Sequence, residues 1–226
     1  MPRPLDQKRI LITQSDTFMG PAICEALEAQ GAEVIAHVGS FEDPKEPERV
    51  VAAAGRVDVL VANLAIGAPS TPATEVTDAE WDAVFEALVH PLPRLARAVL
   101  PQMIDRRSGK ILLIGSASAL RGIKRTSTCS AARGAQISYV QALGVEVAKH
   151  GIQVNAIAQN FVDNPSYFPE EIQANPRFQE RLRREVPLGR LVTAREDAAF
   201  VAYLCSDAAD CFAGQIFPVC GGWIHR

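Results

Sequence analysis

The sequence predicts a single α/β domain over residues 1–226, a doubly wound parallel sheet with helices on both faces. Two observations carry that expectation. Six short apolar runs alternate with longer amphipathic stretches, the pattern left by strands that crossover helices cover on both sides. A hydrophobic share of 48% over 226 residues is enough to fill such a core.

The expected strands are RILIT (9–13), AEVIAHV (32–38), VDVLVAN (57–63), KILLIG (110–115), IQVNAIA (152–158) and GQIFPV (214–219), all read as buried. Helical patterns fall near 20–30, 43–54, 78–107, 127–150, 170–184 and 195–207. TDAE at Thr77–Glu80 and TARE at Thr193–Glu196 have the spacing of capping boxes, in which a hydroxyl receives the N–H three residues on and the Glu reaches back. Pro91, Pro93 and Pro101 are expected to kink or divide the region 78–107, since proline has no N–H to give and crowds the preceding turn.

Charge narrows the partners. With 23 basic against 26 acidic residues the formal net charge is −3, so no overall field attracts nucleic acid or an anionic membrane, and small molecules or other protein chains are expected instead. The locally basic RFQERLRREVPLGR (177–190) reads as a solvated helix face. Cysteines 24, 129, 205, 211 and 220 show no paired metal spacing, and His37, His90, His150 and His225 no ligand spacing, so no metal site is expected. The opening MPRPLDQKRI has no signal-like apolar stretch, and no run reaches the roughly 18 apolar residues of a membrane span. A soluble cytoplasmic protein is the expectation.

In a doubly wound sheet the ligand sits outside the carboxyl ends of the strands, near the switch in strand order. Thr13 to Gly20, Asn63, Ser116 and Asn160 to Asn164 each follow one of the strands. Twelve residues separate Ser116 from Cys129 and three separate Cys129 from Arg133, so the last two share a helix face. The turn after the first strand, TQSDTFMGPAI, is where such a sheet places the glycines that let a diphosphate approach the backbone. Only Gly20 is present there; Gln14 and Phe18 stand where the first two glycines would be expected. The stretch 39–56 has room for one helix only, which removes a wall of the usual adenine pocket.

On these residues the chain resembles the short-chain dehydrogenase/reductase superfamily over nearly its whole length. Within that superfamily it is similar to the halohydrin dehalogenases, a branch that lost the cofactor. One mark of the branch is a Thr, four residues, an aromatic, one residue and a Gly, matched by Thr13, Phe18 and Gly20. The other is a Ser, twelve residues, a Tyr, three residues and an Arg, which here reads Ser116, Cys129 and Arg133. The spacing is kept and the tyrosine is a cysteine. Leu88 stands where many oxidoreductases of the superfamily carry an Asn, and AQNFVDNPSYF (158–168) replaces their Pro-Gly turn. The shortened region after the second strand, VHPL (89–92) and VPLGRLVTARED (186–197) look closest to the B-type members.

The resemblance implies a Rossmann-like fold, no cofactor, a homotetramer, and conversion of vicinal halohydrins to epoxides plus halide, with reverse opening of epoxides by small anions. In that chemistry a tyrosinate takes the hydroxyl proton, the serine holds the same oxygen and the arginine lowers the phenol's pKa, so Ser116, Cys129 and Arg133 occupy the catalytic positions. Phe161 and Val162 would supply a backbone nest for the halide, with Asn160 beside them and Thr13 and Phe18 on the first-turn side. A thiol has a reference pKa of about 8.5 against about 10 for a phenol, so Cys129 is expected to ionise readily beside Arg133. Its sulfur would fall roughly 3 to 4 Å short of a tyrosine oxygen. Three readings stay open: a dehalogenase, an NAD(P)-dependent oxidoreductase with an altered nucleotide site, and a non-catalytic relative keeping the anion pocket as a binding or assembly module.

Overall fold

A computed structural model describes residues 3–224, so the expectation for His225 lies outside the described residues. The apolar runs become six parallel strands: β1 (Arg9–Ile12), β2 (Glu33–Ala36), β3 (Val59–Asn63), β4 (Gly109–Ser116), β5 (Ile152–Gln159) and β6 (Ile216–Val219). They form one sheet in the order β2-β1-β3-β4-β5-β6. The chain leaves β1 toward β2 and then crosses back to pair β3 on the other side of β1, which puts the topological switch between β1 and β3.

Between the strands run α1 (Gly20–Ala29), α2 (Glu46–Ala54), α3 (Asp78–Leu88), α4 (Pro91–Arg106), α5 (Ser127–Val147), the short α6 (Glu170–Gln173), α7 (Pro176–Glu185) and α8 (Ala194–Cys205). Side chains alternate across the sheet. Leu11, Leu60 and Ile111 face a core shared with α2, α4 and α5, whereas Ile10, Ile12 and Val61 face one shared with α1 and α8. The result is three layers, with the carboxyl ends of the strands gathered along one rim.

Four sequence expectations need correction. The strands are not all buried: β2 and β6 are the two edges and stay partly exposed, and an edge is where Pro218, without an N–H for the ladder, is tolerated. The pattern over 170–184 is two helices, because Pro176 starts a new one and the Asn175 side chain caps it by accepting from the Arg177 N–H. The proline-rich region divides once, ahead of Pro91 in the first turn of α4, while Pro101 is carried inside that helix.

The fourth concerns the capping boxes. Thr193 and Glu196 form a complete one at the start of α8, with bonds in both directions. Thr77 caps α3 by accepting from the Glu80 N–H at 3.1 Å, but the Glu80 carboxylate does not reach back. It accepts from the hydroxyls of Thr71 at 2.7 Å and Thr128 at 2.9 Å, so it ties α3 to a loop and to α5. Among the described residues no helix is long and apolar enough to cross a membrane.

Candidate active site

The rim holds a cavity of about 250 Å³, and Phe18, Ser116, Cys129, Arg133, Asn160, Phe161 and Val162 all line it. They come from the ends of β1, β4 and β5 and from the face of α5, so the sheet topology assembles what the sequence scatters. Thr13 is the exception. It is fully buried and its hydroxyl donates to the Asn63 carbonyl at 3.0 Å, a strut between the ends of β1 and β3. Asn63 braces the same turn from its amide, donating to the Gln14 and Thr17 carbonyls.

Ser116 ends β4. Its hydroxyl accepts from the Ser118 N–H at 3.2 Å and lies 2.9 Å from the Ser118 hydroxyl, which fixes the oxygen at the cavity wall. Cys129, Arg133 and Gln136 share a buried face of α5. The Arg133 guanidinium donates to the Leu64 carbonyl at 2.8 Å and to Gln136 Oε1 at 3.0 Å, and Gln136 in turn donates to the Leu88 carbonyl. Among the described residues Arg133 is in no salt bridge, although only 7% of it is exposed. Burial holds its pKa below the ordinary arginine value.

The thiol of Cys129 behaves otherwise than expected. Burial pushes its pKa up, and the downward pull of Arg133 is the smaller effect, with Glu80 adding to the rise. The sulfur packs with Val84, Leu88 and Ala132 as a small apolar group. The proposed nest is also narrower than the sequence implies: the Phe161 N–H already donates to Asn160 Oδ1 at 3.0 Å. Phe161 is both cavity wall and core, packed edge-on against Trp223 and stacked near Phe168.

A side chain the motif does not contain completes the wall. Tyr167, on the loop after β5, lines the cavity with its ring 5.2 Å from that of Phe18. Its hydroxyl donates to the Ile66 carbonyl at 2.6 Å. Burial raises its pKa, while Arg133 pulls it down and Cys129 adds to the rise. Sequence spacing gives no signal for this residue, because no fixed interval ties the loop to Ser116 or to α5.

The turn after β1 tests whether a dinucleotide fits. Gln14 and Phe18, the positions where glycines would be expected, have φ of 46° and 51°. The backbone thus keeps the left-handed conformation natural to glycine while carrying side chains. Gln14 Oε1 accepts from the Ala65 N–H at 2.7 Å, bridging the turn to the segment after β3, and Phe18 reaches Tyr167. Gly20 is required there, since a Cβ on it would come within 2.5 Å of the Gln14 and Ser15 carbonyl oxygens. A diphosphate laid on this turn would meet side chains, so these residues do not fit a nicotinamide dinucleotide.

A family model described as enoyl-(acyl carrier protein) reductase matches residues 45–224. The chain belongs to the short-chain dehydrogenase/reductase superfamily. Among similar sequences is the 3-oxoacyl-[acyl-carrier-protein] reductase FabG of Salmonella typhimurium, 31% identical, with 95% of this chain and 96% of that one covered. Among solved structures, one titled dehalogenation enzyme superposes with a TM-score of 0.91 at 33% identity, over 98% of this chain and 100% of the other. Another, halohydrin dehalogenase HheC bound to ethyl (2S)-oxiran-2-ylacetate, gives 0.87 at 30% identity, over 97% and 99%. The superfamily therefore embraces both open activities, and the cavity has to decide between them.

Proposed function

We propose that this chain is a cofactor-independent halohydrin dehalogenase, closing small vicinal halohydrins to epoxides with release of halide and opening epoxides with small anions in reverse. The observation that carries the reading is Arg133: a buried guanidinium without a carboxylate partner among the described residues, in a cavity lined by Phe18 from a turn that has Gln14 and Phe18 at its glycine positions. A buried cation is costly unless an anion or strong hydrogen bonds offset it. Arg133 donates to two neutral acceptors, has the Tyr167 phenol beside it, and borders a space sized for a small molecule.

Ser116 is placed to hold the substrate oxygen as it becomes an alkoxide. The alkoxide attacks the neighbouring carbon, the carbon–halogen bond breaks, and the electron pair leaves on the halide. Phe18, Phe161 and Val162 give that anion a dry wall, where electrostatic help from fixed donors is stronger than in water. The resemblance to the two dehalogenase structures supports the same chemistry.

The sequence relatives favour a second reading, NAD(P)-dependent reduction of a ketoacyl group. One pair of assays separates them: halide release from a vicinal chloropropanol with azide opening of epichlorohydrin, against an NADPH titration with a ketoacyl thioester. Turnover of the first pair without coenzyme is expected. Saturable NADPH binding with ketone reduction would replace this reading, and silence in both assays would favour the non-catalytic anion-binding module.

A further inference from the structure

The dehalogenase reading leaves a gap, because its chemistry needs a group that takes a proton from the substrate hydroxyl and position 129 no longer carries a phenol. Cys129 is a poor substitute. Its thiol is short, packed among apolar side chains and pushed up in pKa by burial.

We propose that Tyr167, delivered from the loop after β5, is the catalytic proton-transfer residue of this site, doing from that loop what a tyrosine at position 129 would do from α5. The loop holds it firmly for this. Asn164 Oδ1 accepts from the Tyr167 N–H at 2.9 Å, the Asn164 carbonyl accepts from the Phe168 N–H at 2.9 Å, and the ring lies against Phe18. Tyr167 shares the cavity with Ser116 and Arg133, and the Arg133 guanidinium lies close enough to its phenol to pull the pKa down against burial.

Protons and electrons balance in both directions. In ring closure the Tyr167 phenolate takes the substrate hydroxyl proton, the oxygen–carbon bond forms, halide leaves with the bonding pair, and the phenol returns its proton to solvent. In ring opening an anion attacks the epoxide carbon, the carbon–oxygen bond breaks, and the developing alkoxide takes the Tyr167 proton, which water replaces. At rest the phenol is neutral and donates to Ile66, so it is armed as an acid for opening and needs alkaline conditions to act as a base for closure.

The inference rests on the dehalogenase reading, and the experiment keeps the two apart. Wild type, Tyr167→Phe and Cys129→Ser are assayed for halide release from a chloropropanol and for azide opening of epichlorohydrin across pH, with a near-ultraviolet difference titration of the phenol. Tyr167→Phe is expected to lose about a hundredfold or more in both directions, the usual scale of general acid–base catalysis, whereas Cys129→Ser loses less than about tenfold. The wild-type closure rate should rise, and the opening rate fall, through the phenol pKa that the titration reports. A folded Tyr167→Phe within about threefold of wild type overturns this assignment and leaves the dehalogenase reading intact. A wild type inert toward both substrates overturns both. If Tyr167→Phe fails to fold, the titration is run on the Tyr139→Phe/Tyr203→Phe double variant, in which Tyr167 is the remaining tyrosine, and pH profiles that do not track its phenol pKa overturn the assignment.

Discussion

Replacing Asp197 with Asn should make the stability of this protein much less dependent on pH. Asp197 sits in the first turn of α8 with no exposed surface. One carboxyl oxygen accepts from Gln159 Nε2 at 2.6 Å, and the other has no partner among the described residues. Loss of hydration pushes its pKa from 3.8 to about 7, against the opposing pull of the Gln159 bond. The unfolded chain releases this proton near pH 3.8, while the native state keeps it until about pH 7. Between those values the native state binds more protons, so stability is fully present below the lower value and is lost as pH rises toward the upper one. At about 1.4 kcal/mol per pH unit, wild type loses about 2.5 kcal/mol through this one group between about pH 5 and pH 8, and almost nothing further above that. Asn is neutral throughout, so the stability difference between variant and wild type should grow by that amount in urea unfolding at about pH 5 and pH 8. Two proteins whose stabilities move in parallel across that range would refute the reasoning.

Gly20→Ala should destabilise by about 1 to 3 kcal/mol, because the added methyl meets two backbone oxygens that have no rotamer to retreat into; an unchanged urea midpoint would show that the turn gives way freely. Thr193→Ala and Thr77→Ala each remove an N-cap bond worth about 1 kcal/mol. The Thr193 loss should be the larger, because its hydroxyl both accepts from the Glu196 N–H and donates to Glu196 Oε2, while Thr77 holds only the N–H of Glu80. Thermal midpoints in the reverse order would contradict the assignment of one complete and one half-made box.

The sheet was legible because parallel strands buried on both faces write themselves as unbroken apolar runs, and Ile10 to Ile12 or Ile111 to Ile114 could be nothing else. What stayed hidden depended on partners distant in sequence. The motif TDAE has the letters of a capping box, yet the Glu80 carboxylate goes to Thr71 and Thr128, a choice made by how α3 lies against α5. Edge position is likewise a property of strand order, so AEVIAHV reads as a core strand although Val38 is 62% exposed. The site divides along the same line. Ser116, Cys129 and Arg133 were visible because a strand end and one helix face keep a fixed interval. Tyr167 was not, because a loop has no period and the fold alone decides where its tip arrives.

The rim around the cavity carries a further signature of that decision. Gln14, Phe18 and Phe161 have φ of 46°, 51° and 53°, a region that costs a non-glycine residue roughly 1 to 2 kcal/mol. Strain of this kind persists only where surrounding contacts over-determine it, and here each strained residue has such contacts: Gln14 receives the Ala65 N–H, Phe18 meets Tyr167, and Phe161 meets Trp223 and Phe168. Glycine at position 18 would relax the backbone and reopen the turn toward a diphosphate, but it would also remove the ring against which Tyr167 rests. The strain therefore has a direction. It keeps side chains at the turn positions where a nucleotide-binding sheet carries glycines, and the ring of Tyr167, whose phenol lies beside Arg133, is seated on one of them.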